Sequence, residues 1–286
     1  MNNMIYGIIP EIPVAEAVAD LTDWITKVFA FIFDPIKEYF GNLMGLISED
    51  ILMNLPPFVF IIIVALIAFF VSGKRLGLAA FSIVGLWFIY NQGYWNELMS
   101  TVTLVIVASL LSVIIGVPIG ILMSKSKTFE AIMTPILDFM QTMPAFVYLI
   151  PAVAFFGIGM VPGVFASLIF ATPPTVRFTN LGIRQVSQEL VEAADAFGST
   201  GSQKLFKVEL PMAKSTIMAG INQTVMLSLS MVVIASMIGA PGLGREVLSA
   251  LQRSQIGPGF VSGVAIVILA IIVDRVTQNL NKEKAN

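Results

Sequence analysis

The chain contains 286 residues, and neither cysteine nor histidine is among them. It therefore cannot form disulfides, thiolate nucleophiles, imidazole bases or the zinc sites that use these side chains. No Gly-rich phosphate loop ends in Gly-Lys-Ser/Thr, so the sequence does not encode a P-loop ATPase. The net charge of −2 gives no basic footprint for nucleic acid.

Charge of either sign is scarce, at 12% of residues, whereas 57% are hydrophobic. An average soluble domain has about 25% charged residues. Seven apolar segments follow one another, each close to the roughly 20 residues that cross a ~30 Å hydrocarbon core. They cover residues 55–73, 76–94, 98–123, 136–158, 161–182, 214–239 and 258–277. The sequence therefore predicts an all-α, polytopic transmembrane helical bundle of about seven spans.

Basic residues fall mainly on alternate connections between these segments. The clusters are Lys74 and Arg75; Lys125 and Lys127; Arg184, Lys204, Lys207 and Lys214; and Lys282 and Lys284. Because positive charge concentrates in cytoplasmic loops, the pattern predicts an outside amino terminus and an inside carboxyl terminus. The polar loop of residues 184–213 is then cytoplasmic.

Residues 1–50 differ from the spans. Apolar residues recur there at helical spacing, with acids between them, as expected of an amphipathic helical region at a membrane surface. The region has eight Asp or Glu residues against two Lys, which disfavours an anionic cytoplasmic leaflet and favours the outer surface. Pro35 is expected to break the region into two helices. Residues 51–95 would then form two peripheral transmembrane helices, and residues 96–280 the core domain.

The loop of residues 184–213 has the signals of two short helices. Ser187 can cap the start of the first, and Gly198 suits a left-handed carboxyl cap. Thr200 and Gln203 have the spacing of a capping box for the second, and Pro211 suits the first turn of the helix that re-enters the membrane. On spacing alone, the loop is either a capped helical hairpin or a docking element for another protein.

A longer pattern in this loop resembles the "EAA" loop of the membrane-spanning subunits of bacterial ABC importers. It consists of Glu192, Ala193, Ala194, Asp195, Gly198, Leu210 and Pro211. The stretch from Leu137 to Gly159, together with "ATPPTVRFTNLGIRQV" and "MIGAPGLGREVL", is similar to the branch that handles glycine betaine, proline and related quaternary ammonium osmoprotectants.

The resemblance implies a permease subunit in the bacterial plasma membrane that takes up glycine betaine, carnitine, proline betaine, proline or choline. Its loop helix would dock on a P-loop ATPase, present in two copies, which would hold the ATP and Mg²⁺. An external substrate-binding protein and a second copy of the chain would complete the assembly. The chain itself would bind no cofactor and catalyse no reaction.

Prolines and polar side chains within three spans are candidates for a translocation path. They are Pro144, Pro151, Pro173, Pro174, Asn222, Gln223 and Ser228. Prolines free backbone carbonyls, which membrane helices tolerate only against protein or a water-filled cavity. The alternatives are structural kinks and hydrogen bonds between helices. Asp138 and Arg177 can either reach the interface separately or pair with each other.

A self-contained secondary transporter or channel for a small polar solute is the alternative function. Such proteins bind substrate and coupling ions near the membrane midplane. Asp138 and Asp274 lie near predicted cytoplasmic ends, and the spans contain no acidic or histidine relay. The sequence therefore favours the importer subunit, while an intramembrane enzyme would lack both histidine and paired mid-membrane acids.

Overall fold

Helices form almost the whole of the computed structural model, which describes residues 13–282; Lys284 and the first twelve residues lie outside them. No β-strand occurs in that range, as the all-α prediction requires. The amino-terminal helices are α1 (Val14–Val28), α2 (Ala30–Gly45) and a π-helical turn (Leu46–Leu52). The membrane-type helices that follow are α3 (Pro57–Val71), α4 (Leu76–Asn91), α5 (Trp95–Lys125), α6 (Lys127–Thr142), a 3₁₀ turn (Ala145–Tyr148), α7 (Leu149–Phe156) and α8 (Met160–Arg184). The remaining elements are α9 (Gln188–Ala196), α10 (Gly201–Lys204), a π-helical turn (Leu205–Glu209), α11 (Leu210–Ser236), α12 (Leu243–Gln252) and α13 (Ile256–Lys282).

The predicted break at Pro35 is wrong. The amino-terminal region divides at Phe29, and Pro35 lies inside α2. Because α2 begins only five residues before the proline, the ring deprives a single early carbonyl of its helical donor, which the helix tolerates. The helix α1 has no buried residue, and Val18, Leu21 and Trp24 on its apolar side are all more than half exposed.

The predicted span at residues 136–158 is not one helix. It is divided between α6 and the Ala145–Phe156 segment, which meet at 106°. Pro144 lies at the corner, where the residue before a proline is pushed out of the helical region. The Tyr148 hydroxyl donates to the Met140 carbonyl at 2.5 Å and fastens the corner.

Length and hydropathy support three clear spans among the described residues: Trp95–Lys125, Gly201–Ser236 and Ile256–Leu280. Counting each sharply bent helix pair as one span gives up to five. The helix α8 is long enough to cross a membrane, but 16 of its 25 residues are buried in the bundle. A helix covered by other helices does not need an apolar surface, so its low hydropathy follows from its place in the fold. Seven spans therefore stays a prediction.

The centre of the bundle is formed by α5, α8 and α11. The helices α5 and α8 run parallel, since Gly116 faces Thr175 and Gly120 faces Thr179, while α11 runs antiparallel to α8. Glycines allow the close approach: a Cβ atom on Gly120 would lie 2.6 Å from the Val176 carbonyl oxygen. One on Gly220 would lie 2.5 Å from the Phe178 Cβ. Small residues of this kind are typical of membrane helix interfaces.

The other long helices surround this centre. The helices α3 and α4 form an antiparallel pair that packs on α13, and α13 in turn packs on α11. The short helix α12 lies against α13 and α11 and inserts the fully buried Leu243 into the core. The ends of α5, α8 and α13 therefore share one end of the bundle with the start of α11. We call it the loop end, because residues 184–213 lie there.

Replacing Gly120 by alanine should destabilise the bundle, because neither the backbone nor the branched Thr179 can yield easily to the added methyl group. The expected loss is about 1–3 kcal/mol. Gly263→Ala in α13 is the matched control, since nothing lies within 4 Å of its Cβ position. Thermal unfolding of the purified protein in detergent should show a midpoint several degrees lower for Gly120→Ala alone. Equal midpoints for the two variants would contradict the close α5–α8 contact.

Candidate functional site

The loop between α8 and α11 is ordered and largely exposed. Its first helix, α9, contains no buried residue. Glu192, Ala193 and Asp195 are exposed, and Ala194 is half-buried. The four-residue motif identified in the sequence therefore lies on a surface helix, with its small residues accessible to another molecule.

The carboxyl end of α9 has the predicted glycine cap. Gly198 adopts φ = +76°, which favours glycine over residues that have a Cβ atom. The Ser199 amide donates to the Ala194 carbonyl at 3.0 Å, and the Gly198 amide donates to the Asp195 carbonyl at 2.9 Å. These two bonds form a Schellman motif and set the direction in which the chain leaves α9.

The predicted amino-terminal cap of α9 is only partly correct. Ser187 occupies the cap position, but its side chain makes no capping hydrogen bond. Its backbone carbonyl instead accepts from the amides of Leu190 and Val191 at 3.1 and 3.3 Å. The cap therefore depends on backbone geometry, which a residue-type pattern does not specify.

An apolar patch lies on the outer side of α9. The Phe197 side chain is 91% exposed and Leu190 is 43% exposed, one at each end of the helix. Glu192 lies on the other face of the helix, where it accepts a hydrogen bond from the Gln188 side chain at 3.0 Å. We call Leu190, Ala193, Ala194 and Phe197 the α9 patch. A large aromatic ring fully exposed on a polar loop is typical of a surface that another protein covers.

The second half of the loop differs from the predicted helix in one respect. Thr200 and Gln203 form the capping box, with bonds of 2.9 and 3.4 Å. The predicted helix through "KLFKVEL" consists of the single turn α10 followed by the π-helical turn of Leu205–Glu209, hereafter called the π-helical turn. That turn leads directly into α11, which begins at Leu210 with Pro211 in its first turn. The predicted place of Pro211 is therefore confirmed, and the helix begins four residues before the apolar segment that starts at residue 214.

Four ion pairs cluster at the loop end. Arg177 pairs with Asp138 and so joins α8 to α6, which forms the pair that the sequence left open. Arg184 pairs with Glu130 on α6 at 2.6 Å and also donates to the Met123 carbonyl at 3.1 Å. These contacts fix α6 against the end of α8.

The other two ion pairs hold the loop itself. Lys204 binds both carboxylate oxygens of Asp195, at 2.7 and 2.8 Å, and so joins α10 to α9. Lys125, the last residue of α5, pairs with Glu209 at the end of the π-helical turn. Sequence reasoning missed the Lys125 pair, because the partners are 84 positions apart and neither lies in a motif that names the other.

The four candidate path prolines occupy two different environments. Pro144 is exposed at the corner between α6 and α7, and Pro151 is half-buried in α7. Pro173 and Pro174 are buried inside α8. Near them Thr224 of α11 donates to the Ala171 carbonyl at 2.8 Å and lies 2.7 Å from the Thr175 hydroxyl. Within one chain, the α8 prolines therefore face a packed helix interface.

The three candidate polar residues on α11 point in different directions. Asn222 donates to the Asp274 carboxylate at 3.1 Å and accepts from the Thr277 hydroxyl, both on α13. Ser228 is buried and donates to the Thr224 carbonyl at 3.1 Å. Gln223, next to Asn222, is exposed. Asn222 thus bonds a neighbouring helix, whereas Gln223 is available to a path or a second chain.

Two concavities lie on the surface of the described residues. One, of about 500 Å³, lies between α2 and the start of α8 and has Lys37 and Glu49 on its rim. The other, of about 600 Å³, is an almost wholly apolar groove among α3, α5, α11 and α13. Neither is lined by any of the seven candidate path residues. A path that uses those residues would therefore need walls that a single chain does not provide.

Taken together, these features define a class of membrane protein. A polytopic helical bundle without a nucleotide-binding loop carries, at one end, a short capped helix with an exposed apolar patch. A bundle of this kind offers a partner protein a docking surface outside its membrane-type helices. A family profile described as "Binding-protein-dependent transport system inner membrane component" matches residues 112–285. The chain belongs to this family of multi-pass inner-membrane permeases.

Individual relatives extend the match over nearly the whole chain. The chain is 58% identical to the glycine betaine/carnitine transport permease protein GbuB of Listeria monocytogenes, over 96% of this chain and 98% of that protein. It is 50% identical to the glycine betaine transport system permease protein OpuAB of Bacillus subtilis, over 96% and 97%. It is 46% identical to the glycine betaine/proline betaine permease protein ProW of Escherichia coli, over 95% of this chain and 76% of that one.

Solved structures support the same fold at much lower identity. An inward-facing structure of the MetNI methionine ABC transporter matches with a TM-score of 0.60 and 20% identity, covering 64% of this chain and 92% of that chain. An amino acid ABC transporter matches with a TM-score of 0.57, also at 20% identity, covering 68% and 94%. At this identity the likeness concerns the fold alone, and it confirms an ABC transporter permease fold.

Asn222→Leu should destabilise the protein, because it removes a donor from the Asp274 carboxylate and the acceptor of the Thr277 hydroxyl. The expected loss is about 1 kcal/mol, as for other hydrogen bonds between membrane helices. Gln223→Leu is the matched control, one position along the same helix and exposed. Thermal unfolding in detergent should distinguish them, with a lower midpoint for Asn222→Leu only. A larger effect of Gln223→Leu would mean that the network between α11 and α13 contributes little.

Proposed function

We propose that this chain is the transmembrane permease subunit of an ATP-driven importer that takes up glycine betaine or a related compatible solute, such as carnitine, proline betaine, proline or choline, for osmoprotection. The observation that carries the proposal is the identity of 46–58% over at least 95% of the chain to permeases named for glycine betaine, carnitine or proline betaine. The importer, not the chain alone, would determine which of these solutes is carried.

The α9 patch supports the proposal that a P-loop ATPase docks at the loop end. An exposed phenylalanine can serve as a buried anchor once a partner covers it. The two alanines let the partner approach the helix backbone closely. Two ATPase copies would hold the ATP and Mg²⁺, and a substrate-binding protein would deliver the solute at the opposite end. In this arrangement the chain is a non-catalytic subunit, and the loop end faces the cytoplasm.

A second copy of the chain is the proposed partner within the membrane. One exposed face of α11 carries Ala219, Gln223 and Ser230, which recur at helical spacing. The Gln223 side-chain amide is costly against lipid, so it favours a face covered by protein or by a water-filled path. Two copies that meet near this face would enclose a path that one chain leaves open. Gln223 is then the candidate residue most directly placed to line it.

ATP-driven uptake tests the proposal. The chain, assembled with an ATPase and a substrate-binding protein from the same organism, should accumulate radiolabelled glycine betaine in liposomes that contain ATP. Carnitine, proline and choline, compared at equal concentration, would rank the substrates. The chain reconstituted alone should show no accumulation. Accumulation by the chain alone on an ion gradient would contradict the proposal and support a self-contained secondary transporter.

Gly198→Val tests the docking role of the loop. A branched residue at positive φ costs about 1–3 kcal/mol, so the last turn of α9 should unwind and Phe197 should move. We expect ATPase retention on the purified permease and solute uptake to fall by at least about tenfold. Gly201→Val, in the same loop but without positive φ and with nothing within 4 Å, should leave both unchanged.

The charge on α9 gives a second comparison in the same experiment. Glu192→Lys reverses the charge of the motif acid and removes the acceptor of the Gln188 side chain, whereas Glu189→Lys reverses a charge outside the motif, in the first turn of the helix. We expect Glu192→Lys to reduce ATPase retention more strongly. If both glycine variants and both charge variants retained the ATPase equally, docking at α9 would be wrong.

A further inference from the structure

The loop end contains one nearly buried carboxylate that the proposed docking does not use. Glu209 is 5% exposed, although it belongs to the polar loop. It pairs with Lys125, whose side chain is 40% exposed and which ends α5. Removing water from a charge is costly, and removing the partner of a buried charge costs far more than separating an exposed pair. Separating Glu209 from Lys125 would therefore be costly in free energy, so we expect the pair to stay together when the loop moves.

The same segment is held to α9 at its other end. Lys204 immediately precedes the π-helical turn and binds both oxygens of Asp195 on α9. Glu209 is the last residue of the turn. A π-helical turn is a rare irregularity that often marks functional positions. A continuous series of contacts thus links α9 to Lys204, then follows the π-helical turn to Glu209, and ends at Lys125 on α5.

The Lys125–Glu209 pair connects the loop to α5, a central helix of the bundle. The helix α5 lies along α8 over most of its length, and Gly116 and Gly120 bring the two backbones close together. The loop is already joined covalently to α8 and α11. Without the Lys125 pair, however, no ion pair among the described residues would join it to α5. The pair therefore lets all three central helices follow a displacement of the loop together.

We propose that Lys125 and Glu209 form a positioning contact through which displacement of α9 by the ATPase reaches α5. The proposal rests on the function proposed above. It predicts that breaking the pair affects two properties differently. The ATPase still docks, because the α9 patch is intact. Hydrolysis of ATP, however, is no longer coupled efficiently to solute transport. The informative quantity is therefore the amount of solute taken up per ATP hydrolysed, not uptake alone.

Lys125→Met in the complete importer, reconstituted in liposomes, is the test. Uptake of radiolabelled glycine betaine and release of phosphate are measured on the same vesicles. We expect the uptake per ATP to fall by at least about fivefold, the lower range of coupling effects, with ATPase retention unchanged. Lys127→Met is the matched control: it removes the same charge two positions away, from an exposed lysine that forms no ion pair among the described residues. The control should keep the wild-type ratio.

Two restorations separate positioning from general stability. Lys125→Arg keeps the charge and should keep the ratio. The reversed pair, Lys125→Glu with Glu209→Lys, should recover at least about half of it, whereas each single reversal should not. A wild-type ratio in Lys125→Met would overturn the proposal, as would a failure of the reversed pair to improve on its single variants.

A covalent link covers the case in which Lys125→Met fails to assemble. The chain has no native cysteine, so Lys125→Cys with Glu209→Cys can be joined selectively by a short thiol-reactive reagent. Linking should raise the uptake per ATP of this double variant, and no increase on linking would overturn the proposal. The wild-type complex tests the proposed function separately. If it takes up no solute with ATP, the proposed function is wrong. If wild type and Lys125→Met take up equal amounts of solute per ATP hydrolysed, only the positioning role of the Lys125–Glu209 pair is wrong.

Discussion

The close approach of α5, α8 and α11 is the constraint on which the rest of the structure depends. Lipid chains are as apolar as leucine, so membrane helices gain little from hiding hydrophobic side chains and associate through tight packing and hydrogen bonds instead. Gly120 and Gly220 bring backbones together, and the hydroxyls of Thr175 and Thr224 bond across the gap. The three helices consequently behave as one packed unit, and the remaining helices are arranged around it.

This packing explains how α8 accommodates two consecutive prolines. Each proline withdraws a backbone donor, and an unpaired carbonyl in hydrocarbon is costly. Pro173 and Pro174 are buried against neighbouring helices, so protein surrounds this turn of α8; the Thr224 hydroxyl bonds nearby, to the Ala171 carbonyl, which is not one of the two that the prolines deprive of a donor. The helix is also polar for a membrane helix, with Arg177 and Asn180 near its loop end. Neighbouring helices, and not lipid, surround most of it, so polar residues are tolerated there.

The features that the sequence predicted correctly are those set by local rules. The positive φ of Gly198 and the capping box of Thr200 and Gln203 depend on residues within a few positions, so their spacing suffices. The errors arise where distant contacts decide. The corner at Pro144 turns the chain by 106° within a segment predicted as one span containing two prolines, and the Tyr148 hydroxyl bonds back to α6 across it. Asn222 could be assigned either to a path or to a neighbouring helix until its partner Asp274, 52 positions away, was known.

The contacts at the loop end differ in kind from those in the bundle centre. The helix α6 is joined to α8 by Arg177 and Arg184, through ion pairs whose side chains are 29–59% exposed. Exposed pairs of this sort contribute little stability, typically about 1 kcal/mol or less. The α5–α8 contact, in contrast, is packed too tightly for a methyl group. The loop end is therefore held to α6 by contacts that contribute little stability, whereas α5 and α8 are held together by tight packing.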